Sequence, residues 1–452
     1  MRLRPLALAF LLAGISAQAQ ATDLLEAYNL ARQSDPQLAA ADSQKQAQGE
    51  GVVQSRAALL PQVSGSLSKE RDTSSGTLGG GTTFSSTSTT RSWGGTLDQT
   101  IYNHSNYTKL GASKARAKQA DADYDAASDS LIVRVADAYF NVLTSIETLA
   151  SARAEERSVK RQLDQAEKRL EVGLAPITDV HEARARYDSA RANAITSANS
   201  LDDAYEALAE ITGQATEHLK GLAKDYTPEN DDSRTVDDWV ALALDSNPSL
   251  KSKQLALTAA EKDVQTARAG HYPTLGFRAT YGDSSLVEGD VGPFSTTDSK
   301  HTSYGLTLSV PIFSGFATQS RLRQAIDQRD IAGDQLEQQK RAITHQTRTA
   351  YRSLVAGKAE VEARRLAVVS AQAAYEAGEA GLEVGTRTIV DVLIAQQQLF
   401  DAQRAYAQAR HAFLVNVLKL RQAAGVLEVA DLEAVNRALS VDADAALDAN
   451  SN

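Results

Sequence analysis

Two stretches decide the fold: Val172-Gly173-Leu174-Ala175-Pro176-Ile177-Thr178-Asp179-Val180 and Val384-Gly385-Thr386-Arg387-Thr388-Ile389-Val390-Asp391-Val392, set 212 residues apart. The same offset links Leu170-Glu171 to Leu382-Glu383, Ala138-Tyr139 to Ala350-Tyr351, Arg56 to Arg268, Pro61 to Pro273 and Gly213 to Gly425. It also links Asp35-Pro36-Gln37-Leu38 to Asn247-Pro248-Ser249-Leu250; only Thr96-Leu97 and Thr307-Leu308 slip, to 211. Similarity at one fixed period marks two copies of a single supersecondary unit. The chain therefore divides into an N-terminal segment 1–21, a first repeat 22–213, a linker 214–235, a second repeat 236–425 and a tail 426–452. The tail, Ala/Asp-rich beyond Val435 with Asp442, Asp444 and Asp448, reads as partly disordered.

Each repeat opens with a helix, Leu24 to Leu59 and Val236 to Ala269, and changes period at a proline. After Pro273, Leu275, Phe277, Ala279 and Tyr281 alternate with Gly276, Arg278, Thr280 and Gly282, and Tyr304, Leu306, Leu308, Val310 and Ile312 alternate with small or polar residues. Period two with unlike faces is the mark of a strand. Trp93, Leu97 and Ile101 repeat it in the first half, and Val63 and Leu67 weakly so. Two hairpins of two strands result, about 62–102 and 274–313. Their connections, Arg71 to Arg91 with Gly79-Gly80-Gly81 and Ser284 to His301 with Gly289, Gly292 and Pro293, read as exposed flexible loops. The glycine run lacks the Lys and Ser/Thr of a phosphate-binding loop.

After each hairpin comes a proline-free helical stretch, Ser105 to Val172 and Phe316 to Val384. Ile132, Val135, Tyr139, Val142, Ile146, Leu149, Val159, Leu163, Ala166 and Leu170 step by three and four, a coiled-coil seam. Some 68 residues at 1.5 Å each predict a rod of roughly 100 Å. Gly173 and Gly385 break these helices, and new ones run back from Thr178 or Asp179 and from near Asp391, giving helical hairpins over about 105–212 and 316–424.

Composition bounds the function. The 452 residues carry 57 acidic against 47 basic side chains, a net charge of −10, and no cysteine. Absent thiols exclude disulfides, thiolate metal sites and Cys-linked lipid, and an acidic balance argues against a nucleic-acid partner. Arg2 and Arg4, the apolar run Leu6 to Ile15 and Ala19-Gln20-Ala21 make an export signal, too short to span a bilayer. Its loss leaves 45 basic side chains and a net charge of −12. The seven histidines are scattered with no metal-binding pair, and no nucleophile elbow or dinucleotide fingerprint occurs, so neither catalysis nor a cofactor is expected.

Strands of about ten residues suit an outer-membrane barrel. Four strands leave two open edges that lipid cannot satisfy, so copies of the chain must close the sheet; two copies give eight strands and three give twelve. Tyr102, Tyr107, Tyr272, Phe313 and Phe316 fit an aromatic girdle at the strand ends, and His271 is interfacial. A periplasmic adaptor would show one helical hairpin and no such strands, and an exported adhesin has no reason to carry matched tips.

The paired Asn/Asp-Pro-x-Leu segments, the corner prolines and the two tips closely resemble the TolC family of outer-membrane efflux channels, over about residues 22–430. The resemblance implies an α+β membrane protein: a homotrimer whose twelve strands form one β-barrel in the outer membrane of a Gram-negative bacterium and whose helical hairpins continue it as a periplasmic coiled-coil barrel. It implies a passive exit duct for efflux or type I secretion, joined to a periplasmic adaptor and an inner-membrane pump or ABC transporter. At the gating tip Arg387 would donate to Thr178 and Asp179, holding the pore shut. Asp391 would face the pore axis and could take a blocking cation; no metal is required. Val172, Gly173, Leu174, Val384, Gly385 and Thr386 resemble adaptor-docking grooves, and also read as ordinary helix stops at glycine. A family member carries a tyrosine in place of Leu382 and a second pore aspartate in place of Ile394, so the resemblance implies a less cation-attracting pore here whose closure relies in part on apolar contact and dewetting at Ile394.

Overall fold

The computed structural model describes residues 21–77, 79–216, 218–223, 226, 234–289 and 297–443. The N-terminal run is α1 (Leu24–Ser34), α2 (Pro36–Ala57), β1 (Gln62–Thr77), β2 (Thr83–Tyr102), α3 (His104–Glu171), α4 (Ile177–Thr212) and a short β3 (Lys220–Leu222). The second copy follows as α5 (Val236–Ser246), α6 (Pro248–Arg268), β4 (Thr274–Glu288), β5 (Asp298–Ser309), α7 (Ala317–Glu383) and α8 (Ile389–Ala424), then α9 (Val429–Asn436) and β6 (Leu439–Asp442). The export signal lies outside the described residues except Ala21.

The opening helix of each repeat is two helices rather than the single one expected. Asp35 and Asn247 sit at φ −66°, ψ 118° and φ −64°, ψ 121°, because the ring of a following proline pushes its predecessor out of helical geometry. Each then caps the next helix: Asp35 Oδ1 accepts from Leu38 N at 2.7 Å, Asn247 Oδ1 from Leu250 N at 3.2 Å.

The chain forms two compact units. One comprises the described residues of 40–126 and 246–344. Its four strands make an antiparallel sheet in the order β1-β2-β4-β5, so β2 and β4 join the repeats at the centre and β1 and β5 are edges. The ladders run further than expected. Arg71 pairs with Thr89 and Thr77 with Thr83, and Ser284 pairs with Ser299, so the stretches read as loops are largely strand. Threonine, β-branched, favours the pleated backbone, and the Ser/Thr wealth that suggested a loop serves the ladder. Gly292 and Pro293 lie outside the described residues. Pairing of β5 stops at Ser309, and Val310 to Phe313 carry on unpaired. Tyr304, Leu306 and Leu308 are 80%, 66% and 66% exposed, an apolar face that none of the described residues covers. In the same unit Ala112, Ala115 and Ala259 are buried, their small side chains letting helices pack closely, and Arg116 pairs with Asp263.

The other unit comprises the described residues of 1–39, 127–245 and 345–452. The seam Ile132, Val135, Tyr139, Val142, Ile146, Leu149, Val159, Leu163 and Ala166 is buried, as period and burial require. The Tyr139 hydroxyl donates to the carbonyls of Lys220 (2.7 Å) and Thr22 (3.1 Å), and burial pushes its pKa up. Arg134 makes a two-pronged bond to Asp35, 2.9 Å on each side; that guanidinium, first, holds the Asp35 carboxyl below the usual range. His411 is buried: Thr144 Oγ1 gives its proton to the Phe140 carbonyl (2.7 Å), so Nδ1–H donates to Thr144 at 2.9 Å. Among the described residues Nε2 has no hydrogen-bond partner, and it lies 3.7 Å from Glu147 Oε1. Burial first, then Arg410, brings the His411 pKa down to about 3.

The tail is ordered further than expected. Leu432, Val435 and Leu439 of α9 and β6 are buried, and β6 pairs with β3 from the linker, so Asp442 belongs to a strand; Asp444 and Asp448 lie outside the described residues.

Candidate functional site: the paired helical tips

The two tips are built alike. α3 ends as Gly173 turns to φ +74° and α7 as Gly385 turns to φ +79°, a left-handed conformation that side-chain-bearing residues take at a cost. Backbone bonds close both turns: Leu174 N donates to Arg169 O at 2.8 Å, and Thr386 N to Gly381 O at 2.8 Å. Val172, Leu174 and Val384 are about 70% exposed or more, and no Cβ built on Gly173 or Gly385 would meet any atom. Those glycines thus leave open backbone flanked by bare apolar side chains.

The tips differ in how their return helices start. α8 begins with a capping box: Thr388 Oγ1 accepts from Asp391 N (3.2 Å), while Asp391 Oδ2 accepts from Thr388 N (3.0 Å) and Thr388 Oγ1 (2.8 Å). These bonds, the backbone one first, hold the Asp391 carboxyl below the ordinary carboxylate range, with Arg387 adding its charge. α4 begins at Pro176, which gives no side-chain cap.

Four helices meet just inside the tips. Val159, Leu163 and Ala166 of α3, Val180 and Ala183 of α4, and Ile389 and Leu393 of α8 form one buried cluster, with Leu170 and Leu382 packed against it. At ~25 cal/mol per Å² of apolar surface, each fully buried Leu or Ile adds about 1.5–3 kcal/mol, so the two hairpins of one chain are joined by apolar packing. Leu382, where a tyrosine was the family expectation, serves that packing.

Of the residues singled out from the sequence, Thr178, Arg387, Asp391 and Ile394 are exposed and Asp179 half-buried. Among the described residues no hydrogen bond or ion pair ties Arg387 to Thr178 or Asp179; its backbone N–H donates to Gly381 O at 3.1 Å. Sequence reasoning passed over Thr388, although Thr-x-x-Asp before an apolar run is a cap signature, and Gln396, a polar residue in an apolar three-and-four register. Among the described residues there is no helix long and apolar enough to cross a membrane and no group of three side chains fit to hold a metal.

Comparison with known proteins fits this geometry. A family model described as "Outer membrane efflux protein" matches residues 27–214 and 239–426, the two repeats in turn. Outer membrane protein TolC of Vibrio cholerae is 36% identical over 97% of this chain and 99% of its own length. Alkaline protease secretion protein AprF of Pseudomonas aeruginosa is 31% identical over 92% of this chain and 87% of its own. The solved Campylobacter jejuni CmeC outer membrane channel superposes with a TM-score of 0.77 over 92% of this chain and 90% of that one, at 19% identity, a likeness of fold. The chain belongs to the outer membrane efflux protein family, and it is a duct of the efflux and type I secretion kind, seated in the outer membrane of a Gram-negative bacterium and reaching into the periplasm.

Proposed function

We propose that three copies of the chain close their sheets into one twelve-stranded barrel and that the duct so formed is passive, opened at its helical tips by a periplasmic adaptor and emptied of cargo supplied by an inner-membrane pump or ABC transporter. Arg387 of one hairpin reaches Thr178 and Asp179 across to a neighbouring hairpin and holds the tips shut. A charge-assisted bond of this kind is directional and, in water, weak enough to be broken by a docking partner. Asp391 lines the pore with Ile394 beside it. Val172-Gly173-Leu174 and Val384-Gly385-Thr386 receive the adaptor, whose backbone approaches at the glycines. The duct performs no catalysis.

The observation that carries the reading is the state of Arg387: exposed, next to Asp391, and without a hydrogen-bonding or ion-pair partner for its guanidinium among the described residues. Its binding capacity is thereby open to a neighbouring copy. The test is single-channel conductance of the purified oligomer in planar bilayers, with its mass, for wild type and Arg387→Ala. Small wild-type currents from a trimer that grow several-fold in the variant are expected; unchanged currents in both Arg387→Ala and Asp179→Ala would remove the lock.

A further inference from the structure

Along α8, Ile389, Val392, Leu393 and Leu399 are buried at steps of three and four, and Gln396 occupies the step between them at 2% exposure. Its Nε2 donates to Ser158 Oγ on α3, while its Oε1 is buried without a hydrogen-bond partner among the described residues. Two turns on, Arg404 reaches Glu155 Oε2 of α3 at 3.2 Å, and beside the amide Arg186 of α4 donates to Gln397 Oε1 at 3.1 Å. The amide is flanked by two clefts. One, of about 300 Å³, is lined by Glu155, Arg186 and Arg404 among others; the second, of about 310 Å³, by Ser158, Tyr375 and Phe400 among others.

A buried amide that is only half satisfied binds two helices poorly. The desolvation of Oε1 is not returned, and an apolar side chain of similar size would hold α8 to α3 more firmly. Clefts on both sides mean that few close contacts are lost when the helices shift. If α8 moves away from α3, water entering the clefts gives Oε1 the partner it lacks.

We propose that the Gln396–Ser158 pair is the parting line between α8 and α3. Gln396 is a positioning residue that eases opening by being under-satisfied in the closed duct and hydrated in the open one. This rests on the reading that the duct opens at its tips.

The experiment compares conductance of full-length oligomers in planar bilayers for wild type, Arg387→Ala, Gln396→Leu, the double variant and Ser158→Ala. Gln396→Leu is expected to return the Arg387→Ala conductance at least halfway to wild type, and Ser158→Ala, which strips the amide of its one partner, to raise conductance above wild type about twofold or more. A thermal midpoint raised by Gln396→Leu without any change in current would mark a purely structural role. The proposal falls if the double variant conducts as Arg387→Ala does or, should Gln396→Leu not assemble, if Ser158→Ala conducts as wild type. Failure of the tip lock is separate: it shows as Arg387→Ala indistinguishable from wild type, and Ser158→Ala then still judges the pair on its own.

Discussion

Asp391 caps α8 through Oδ2 while the side chain stays exposed, and the pore position proposed above would ask a second role of the same carboxylate. The two roles separate by substitution. Asp391→Asn keeps an oxygen for the cap and removes the charge, so cation selectivity falls while the start of α8 holds; Asp391→Ala loses both. An unaltered reversal potential in a salt gradient for both variants would exclude a pore position. The lowered pKa keeps the carboxylate charged well into acid, so its capping contribution is present above the ordinary Asp value and is lost as pH falls through the lowered one. Thr388→Ala should cost about 1 kcal/mol locally, read as faster amide exchange at residues 389–391. His411 has a linkage of the same sign in a higher pH window. Its folded pKa lies far below the ~6.5 of an exposed imidazole, so the unfolded chain takes up a proton that the native one refuses. Stability should fall as pH drops below about 6.5, by up to ~1.4 kcal/mol per unit; His411→Gln should flatten that slope in thermal melts, and an equal slope would mean that the imidazole is not the group involved. The sequence reveals Gly173, Gly385 and Asp391 because their types and spacing repeat, but hides His411 and Gln396, whose character comes from what other helices put around them.

The elements repeat while the bonds between them do not. Asp35 is tied to Arg134, but the residues one period on are Asn247 and Gln346, so the helix break carries an ion pair in one repeat and a neutral cap in the other. The Asp35 side chain is 2% exposed, and deleting the partner of so buried a charge costs about 3–5 kcal/mol. Arg134→Ala should therefore lower the melting temperature markedly, Gln346→Ala hardly at all, and equal effects would deny the asymmetry. Long helices, corner prolines and alternating strands were legible because each has its own period. The helix breaks were visible only as Asp-Pro and Asn-Pro and went unread as breaks. The strand extension through Ser/Thr-rich stretches and the pairing of β6 with β3 were not legible, because both depend on partners: a polar strand takes its identity from the neighbour it bonds to, and β6 and β3 are separated by more than two hundred residues.

At the scale of the whole molecule, duplication and self-assembly answer the same need. Among the described residues two hairpins joined through β2 and β4 bring the sheet to four strands, leaving the polar groups of β1 and β5 to be met by other copies. Their lengths differ, sixteen residues against twelve, so a ladder from β5 of one copy to β1 of the next is at most twelve residues deep. Replacing Leu306 and Leu308 on β5 by lysine should keep the helical unit folded by circular dichroism yet abolish the heat-resistant oligomer on gels; an intact oligomer in detergent-extracted outer membranes would mean that this face does not meet lipid. The bare rim of β5 also makes the chain vulnerable before it matures. A short extended peptide copying Gln62–Thr77 could occupy β5 of a single copy and stop the ring from closing, acting as a chain terminator in the sense that polymer chemistry gives the term.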